Sequence, residues 1–138
     1  MRRRISLTVT RLRERLGDGE AGGASLELAI VAPALLLLVF GALQTVAVIM
    51  AKTAATQAAA EGSNGARAYQ AELADGYNQA DQFLARAGDW LTGPTVDISN
   101  NGTEVTATVT GDALSLVPGF DFSVTSTVHG TVEEFTRP

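Results

Sequence analysis

Residues 28–50 read LAIVAPALLLLVFGALQTVAVIM, and their only strongly polar side chains are Gln44 and Thr45. At about 1.5 Å of rise per residue, such a run is long enough to cross a hydrocarbon layer of roughly 30 Å. An amphipathic helix on a soluble core presents a polar face every three or four residues. This run presents none before Gln44, so a membrane-spanning helix is expected. Pro33 removes one backbone donor, leaves a carbonyl unpaired one turn back and is expected to bend the helix. Gly41, Ala42, Ala47 and Ala51 are small enough to let a second helix approach closely, although small residues are also simply common in such spans.

Charge is distributed unevenly around this run. Six arginines stand before it (Arg2, Arg3, Arg4, Arg11, Arg13 and Arg15), against Glu14, Asp18 and Glu20. After it, four bases face eleven acids, and the whole chain carries a net charge of −5. Basic flanks stay on the cytoplasmic side, which puts the N-terminus inside and the acidic C-terminal part outside. An acidic exported domain argues against a nucleic-acid partner. The 138 residues contain no cysteine. Disulfides, thiolate metal sites and thiol nucleophiles are thereby excluded, and an outer domain must be held by its core, the membrane or neighbouring subunits.

Upstream of the span, residues 1–21 form a basic, partly amphipathic leader suited to the inner membrane surface. Gly22-Gly23 is expected to break any helix there. Downstream, Ala54, Ala55, Ala58, Ala59 and Ala60 favour continued helix, and Gly62-Ser63-Asn64-Gly65 is expected to fray, kink or interrupt it. Tyr69, Leu73, Tyr77, Ala80, Leu84, Ala87 and Leu91 then recur at helical spacing. Gly88 and Gly93-Pro94 should end that stretch, with Trp90 and Leu91 packing onto the C-terminal part of the chain.

The last third alternates with a period of two. Val96 and Ile98 are followed by Val105, Ala107 and Val109, with the hairpin signal Asn101-Gly102 between them. Pro118-Gly119 marks a second turn, before Phe120, Phe122, Val124, Ser126 and Val128 on one face of a third strand. Three antiparallel strands need a covering layer, and the amphipathic helix of residues 69–91 is the expected one. The fold class is therefore α+β: a single N-terminal transmembrane helix, extended into an amphipathic helix that packs on a small three-stranded antiparallel sheet. The domain reading is a leader at 1–22, a transmembrane helix at 23–51, a helical extension at 52–93 and a β region at 94–138.

Little in the chain points to catalysis. His129 is the sole histidine and has no nucleophile or base near it in sequence. Glu133 and Glu134 would point to opposite faces of a strand, so they form no dyad. Asn101-Gly102-Thr103 matches a glycosylation sequon but is explained as a turn. No enzymatic activity, cofactor, metal or small-molecule substrate is expected.

Glu27 stands apart. It sits at the start of a span that otherwise avoids charge, where an ionised carboxylate is costly and commonly has a partner or a function. The plainer alternatives are a glutamate reaching headgroup water, or an acid favoured by the helix dipole.

Gly22-Gly23-Ala24-Ser25-Leu26-Glu27, followed by Leu28-Ala29 and the apolar run, resembles the processing site of type IV-like prepilins. Within that superfamily, residues 24–69 resemble the TadE-type pseudopilins of tight-adherence (Tad) pilus systems. The resemblance rests on Leu26-Glu27-Leu28-Ala29, Pro33, Leu35-Leu36-Leu37-Leu38, Ala58-Ala59-Ala60-Glu61-Gly62 and Ala66-Arg67-Ala68. Ser63-Asn64-Gly65 looks like an insertion between the last two pieces. The resemblance implies a pilin-like fold and cleavage by a prepilin peptidase on the cytoplasmic face. A cut after Gly22 makes Gly23 the first mature residue and Glu27 the fifth, as in the family; a cut after Gly23 would make it the fourth. The implied partners are the prepilin peptidase, other pilins or pseudopilins, the pilus assembly platform and the membrane. Because the major pilin of such systems is expected to be much shorter, a minor pilin or pseudopilin is implied. The chain would be a single-pass protein of the cytoplasmic membrane, with its place in the extracellular filament left open. Two other readings compete: an unprocessed, membrane-anchored binding module, and a soluble domain secreted after signal-peptidase cleavage.

Overall fold

The computed structural model describes the backbone of residues 6–133 and the side chains of residues 23–133. The leader side chains before Gly23 and residues 134–138, Glu134 included, lie outside the described residues. Helix α1 spans Ser6–Arg67 and α2 Leu73–Ala87, followed by strands β1 (Leu91–Asn100), β2 (Glu104–Ala113) and β3 (Phe122–Thr131). Contacts divide the chain into two units, Met1–Phe40 and Gly41–Pro138. The class is α+β, a long apolar N-terminal helix with a small antiparallel sheet.

In the first unit α1 runs unbroken through Gly22-Gly23, where a break was expected, and through Pro33. Two interior glycines cost about 1 kcal/mol each relative to alanine. Helix formers such as Leu26, Glu27, Leu28 and Ala29 follow them, and the backbone stays helical.

In the second unit α1 also runs through Gly62-Ser63-Asn64-Gly65, and the reason is packing. A Cβ on Gly65 would lie 2.9 Å from the Asp75 carbonyl oxygen, and one on Gly62 would lie 3.1 Å from Ile98 Cδ1. These glycines are the places where α2 and β1 come close to α1; they permit contact instead of ending the helix. The interruption comes later, at residues 68–72. There Ala71 N–H donates to the Ala68 carbonyl at 3.0 Å, and Gln70 takes a left-handed φ of 61°. The periodic pattern that begins at Tyr69 thus becomes helical only at Leu73, in a separate helix. Its first turn is tied by the Asp75 carboxylate, which accepts the Glu72 N–H at 2.9 Å.

The sheet has order β1-β2-β3, antiparallel throughout. On central strand β2, Val105, Ala107, Val109, Gly111 and Ala113 are buried in alternation. The layer over this face is not α2, as the sequence suggested, but the alanine-rich part of α1. Ala51, Ala55, Ala58 and Ala59 are fully buried and share one core with Val105, Ala107, Val109 and Val124. Alanine allows the helix axis to lie close to the sheet, and β-branched valines fill the remaining space. Helix α2 flanks β1 instead, with the Tyr77 hydroxyl accepting the Ile98 N–H at 3.0 Å. On the open face, threonine hydroxyls pair across the strands, Thr108 with Thr127 and Thr110 with Thr125.

Sheet boundaries differ from the sequence reading in three places. β1 begins at Leu91 and absorbs Gly93-Pro94 as an irregularity between Thr92 and Thr95, which an edge strand tolerates. Leu91 is buried over Gly111, whereas Trp90 is exposed. Phe120 is exposed and precedes β3, because residues 117–120 form a turn closed by Phe120 N–H to the Val117 carbonyl at 3.3 Å. Pro118 followed by Gly119 at φ 84° suits a type II turn.

The Asn101-Gly102 hairpin forms between β1 and β2. Asn101 Oδ1 accepts from Thr103 N–H at 3.0 Å, Thr103 Oγ1 at 3.0 Å and Glu104 N–H at 2.8 Å, and Gly102 has φ 95°. Asn101→Ala removes that acceptor and should destabilise the domain by about 1 kcal/mol. A thermal melt of the full chain in detergent should then show a midpoint about 5 °C lower; an unchanged midpoint would mean the turn holds without it.

Candidate processing site and assembly surface

The segment Gly23–Arg67 contains the one stretch among the described residues long and apolar enough to cross a membrane, and the protein itself buries none of that stretch. From Leu26 to Phe40, Leu26, Leu28, Ile30, Leu35, Leu37 and Leu38 are all more than half exposed. A core helix of a soluble bundle would have these side chains covered. Here their apolar surface is left for lipid or for other helices.

Glu27 is exposed on the same helix. It lines a shallow, open groove with Ala24, Leu28 and Val31, residues spaced to share one helix face. Among the described residues no ion pair reaches it; the one ion-pair contact present joins His129 Nδ1 to Glu104 Oε1 at 3.5 Å, on the surface of the other unit. Gly22 and Gly23, the expected processing residues, are both in helical backbone. A Cβ placed on Gly23 would meet no atom within 4 Å, so the helix surface at Gly23 is open. Gly23 and Glu27 are four residues apart, one helical turn, which brings the two positions to the same side.

Further along α1, the polar groups of the run satisfy themselves. Thr45 Oγ1 donates to the Gly41 carbonyl at 2.9 Å, a back-bond that hides its hydroxyl in the helix. Gln44 is buried in the second unit, and both ends of its amide are used. Its Nε2 donates to the Leu114 carbonyl at 3.2 Å and its Oε1 accepts the Leu116 N–H at 2.8 Å. Sequence reasoning noted Gln44 only as a polar exception, because its backbone partners lie 70 and 72 residues further along the chain. Lys52 similarly donates to the Thr125 carbonyl on edge strand β3.

The remaining ionisable candidates form no site. His129 is exposed, with Nδ1 3.0 Å from Thr106 Oγ1 and no nucleophile beside it. Glu133 uses its backbone N–H to cap the Arg67 carbonyl at 3.1 Å. Among the described residues no group of three or more His, Asp or Glu side chains is placed to hold a metal.

Residues 22–64, just under a third of the chain, match the family model described as TadE-like protein. The match begins at Gly22 and takes in Glu27, Pro33 and the whole apolar run. It is consistent with a pilin-like protein of Tad pilus systems. No curated protein and no solved structure matches the chain.

Proposed function

We propose that this chain is a minor pilin or pseudopilin of a Tad-type pilus system, matured by a prepilin peptidase and active in pilus assembly through its apolar helix. The observation that carries the reading is the helical segment after Gly23. It falls within the TadE-like match, and from Gly23 to Phe40 it is left uncovered by its own chain and carries a single acid, Glu27.

In this reading the arginine-rich leader stays on the cytoplasmic face and the acidic domain lies outside. The peptidase cuts after Gly22. Two glycines at the cut make this part of α1 inexpensive to unwind for a protease. Cleavage creates an α-ammonium at Gly23, one turn from Glu27. A carboxylate on the same or an adjacent subunit then neutralises that amine, so two charges that are costly near lipid become one pair. Pairing between subunits also sets their axial register. Pro33 lets the helix bend as it packs against neighbouring pilins, and the assembly platform is the partner that moves the subunit. The role is structural, with no chemistry performed by the chain itself. The test is the N-terminal residue of the mature protein in its native membrane, expected to be Gly23.

A further inference from the structure

The sheet-bearing unit has two chemically different ends. Strand β3 runs alongside α1 in the same direction, since Thr56 Oγ1 meets Ser126 Oγ at 2.8 Å and a Cβ on Gly130 would touch Ser63 and Arg67. The sheet end at Leu91, Ala113 and Phe122, which are paired across the strands, therefore lies toward the start of this unit, near Gln44. The Asn101 turn lies at the other end. Just beyond the Leu91–Ala113–Phe122 row the chain displays Trp90, Leu114, Leu116 and Phe120, which are 43%, 39%, 39% and 61% exposed. Gln44, only 6% exposed, clamps this rim through its bonds to Leu114 and Leu116. Leu114 N–H also donates to the Trp90 carbonyl at 3.3 Å, which joins Trp90 to the same rim.

Sequence continuity identifies what covers it. A bilayer core takes about 20 helical residues. Counted from Leu26, that length ends at about Thr45, next to the residue that holds the rim. Tryptophan with aliphatic and phenylalanine side chains is the composition favoured at a membrane–water boundary. The opposite end presents Asn100, Asn101, Thr103 and Glu104, with Tyr69 and Leu73 the scattered exceptions. We infer that the Trp90–Leu114–Leu116–Phe120 rim is seated in the outer interface of the lipid bilayer before assembly, so that the domain lies on the membrane instead of standing off it. The inference rests on the reading of the apolar part of α1 as a membrane span, taken here as the roughly 20 residues from Leu26. Asp89, Asp112 and Asp121 are exposed beside the rim, so apolar burial drives the contact and anionic headgroups do not strengthen it.

Trp90 is the sole tryptophan and reports on the contact directly. The full chain is reconstituted in phosphatidylcholine vesicles, integration is checked by resistance to alkaline extraction, and Trp90 emission is quenched either by brominated lipid or by aqueous iodide. The expected result is blue-shifted emission, quenching by brominated lipid, a several-fold loss of iodide quenching, and no strengthening of the contact when anionic lipid is added. Phe120→Asp with Leu116→Asp should restore iodide access while the chain stays integrated. An integrated chain whose Trp90 is quenched fully by iodide and not by brominated lipid overturns the inference and leaves the span standing. Shielding from both quenchers also overturns it, because the rim would then be covered by another copy. A chain released by alkali overturns the span, and the seated rim with it.

Discussion

Gly76→Val is expected to lower the thermal midpoint of the full chain by about 12 °C or more, the largest stability effect of the substitutions proposed for this fold. A Cβ at Gly76 would lie 2.5 Å from the Gly62 carbonyl oxygen, 2.8 Å from Ala66 Cβ and 3.0 Å from Ile98 Cδ1. The nearest atom belongs to helix backbone, so no flexible side chain can yield. Helix α2 must move off α1, opening the contact among Ala66, Ala80 and Ile98, all of them buried. Overpacking of this kind costs about 3 kcal/mol, and each kcal/mol moves the midpoint of a domain this size by about 4–8 °C. Glycine is itself a poor helix residue, so removing one in open space has the opposite sign. Gly41, with nothing within 4 Å of a built Cβ, supplies the control: Gly41→Ala should leave the midpoint unchanged or raise it by a few degrees. Melts of both variants in detergent, followed by near-ultraviolet circular dichroism, decide the matter. Equal midpoints for Gly76→Val and the parent chain would mean that α2 is not held against α1 as described.

Glu27→Ala is expected to leave cleavage and membrane insertion intact and to abolish incorporation into the pilus or its initiation complex. The carboxylate is exposed on a helix surrounded by apolar side chains, and no described residue of its own chain pairs with it. Its removal should therefore cost the isolated subunit nothing and even ease insertion. In an assembly the position differs. The Gly23 ammonium would be left without its counter-charge between packed helices, a penalty of about 3 kcal/mol. That is roughly a hundredfold per subunit in the association equilibrium, and the register supplied by the pair is lost as well. The measurement is the amount of processed protein in the membrane beside the number of pili on the cell. Normal piliation by a Glu27→Ala strain would remove the assembly role of this carboxylate.

Much of the architecture was legible because it rests on local signals. The uninterrupted run from Leu28 to Phe40 leaves no polar face, so it announces a helix that its own chain does not cover. Asn101-Gly102 between alternating strands announces a hairpin, and its side chain does bind the turn. What could not be read depends on which surfaces meet. Gly62 and Gly65 look like helix breakers until α2 lies against them. The alanines of residues 54–60 read as helix propensity, yet they are the face on which the sheet rests, and this displaced α2 from the role expected of it. Gln44 gains its purpose only when the segment after β2 returns to α1, a long-range contact that no local pattern encodes. Trp90 and Leu91 were both expected to pack onto the C-terminal part of the chain, but the two residues meet opposite fates at the edge of β1.

At the site itself, Glu27 was legible as an expense without a partner. The structure adds that Gly22 and Gly23 are helical and that apolar side chains surround Glu27 without covering it. The most direct test of the central claim is the N-terminal residue of the protein isolated from the membrane of cells that express its own pilus system, read by intact mass and terminal sequencing. Maturation by a prepilin peptidase predicts Gly23, with residues 1–22 missing. A chain that still begins at Met1, or one that begins between Thr53 and Glu61 in the soluble fraction, would contradict it.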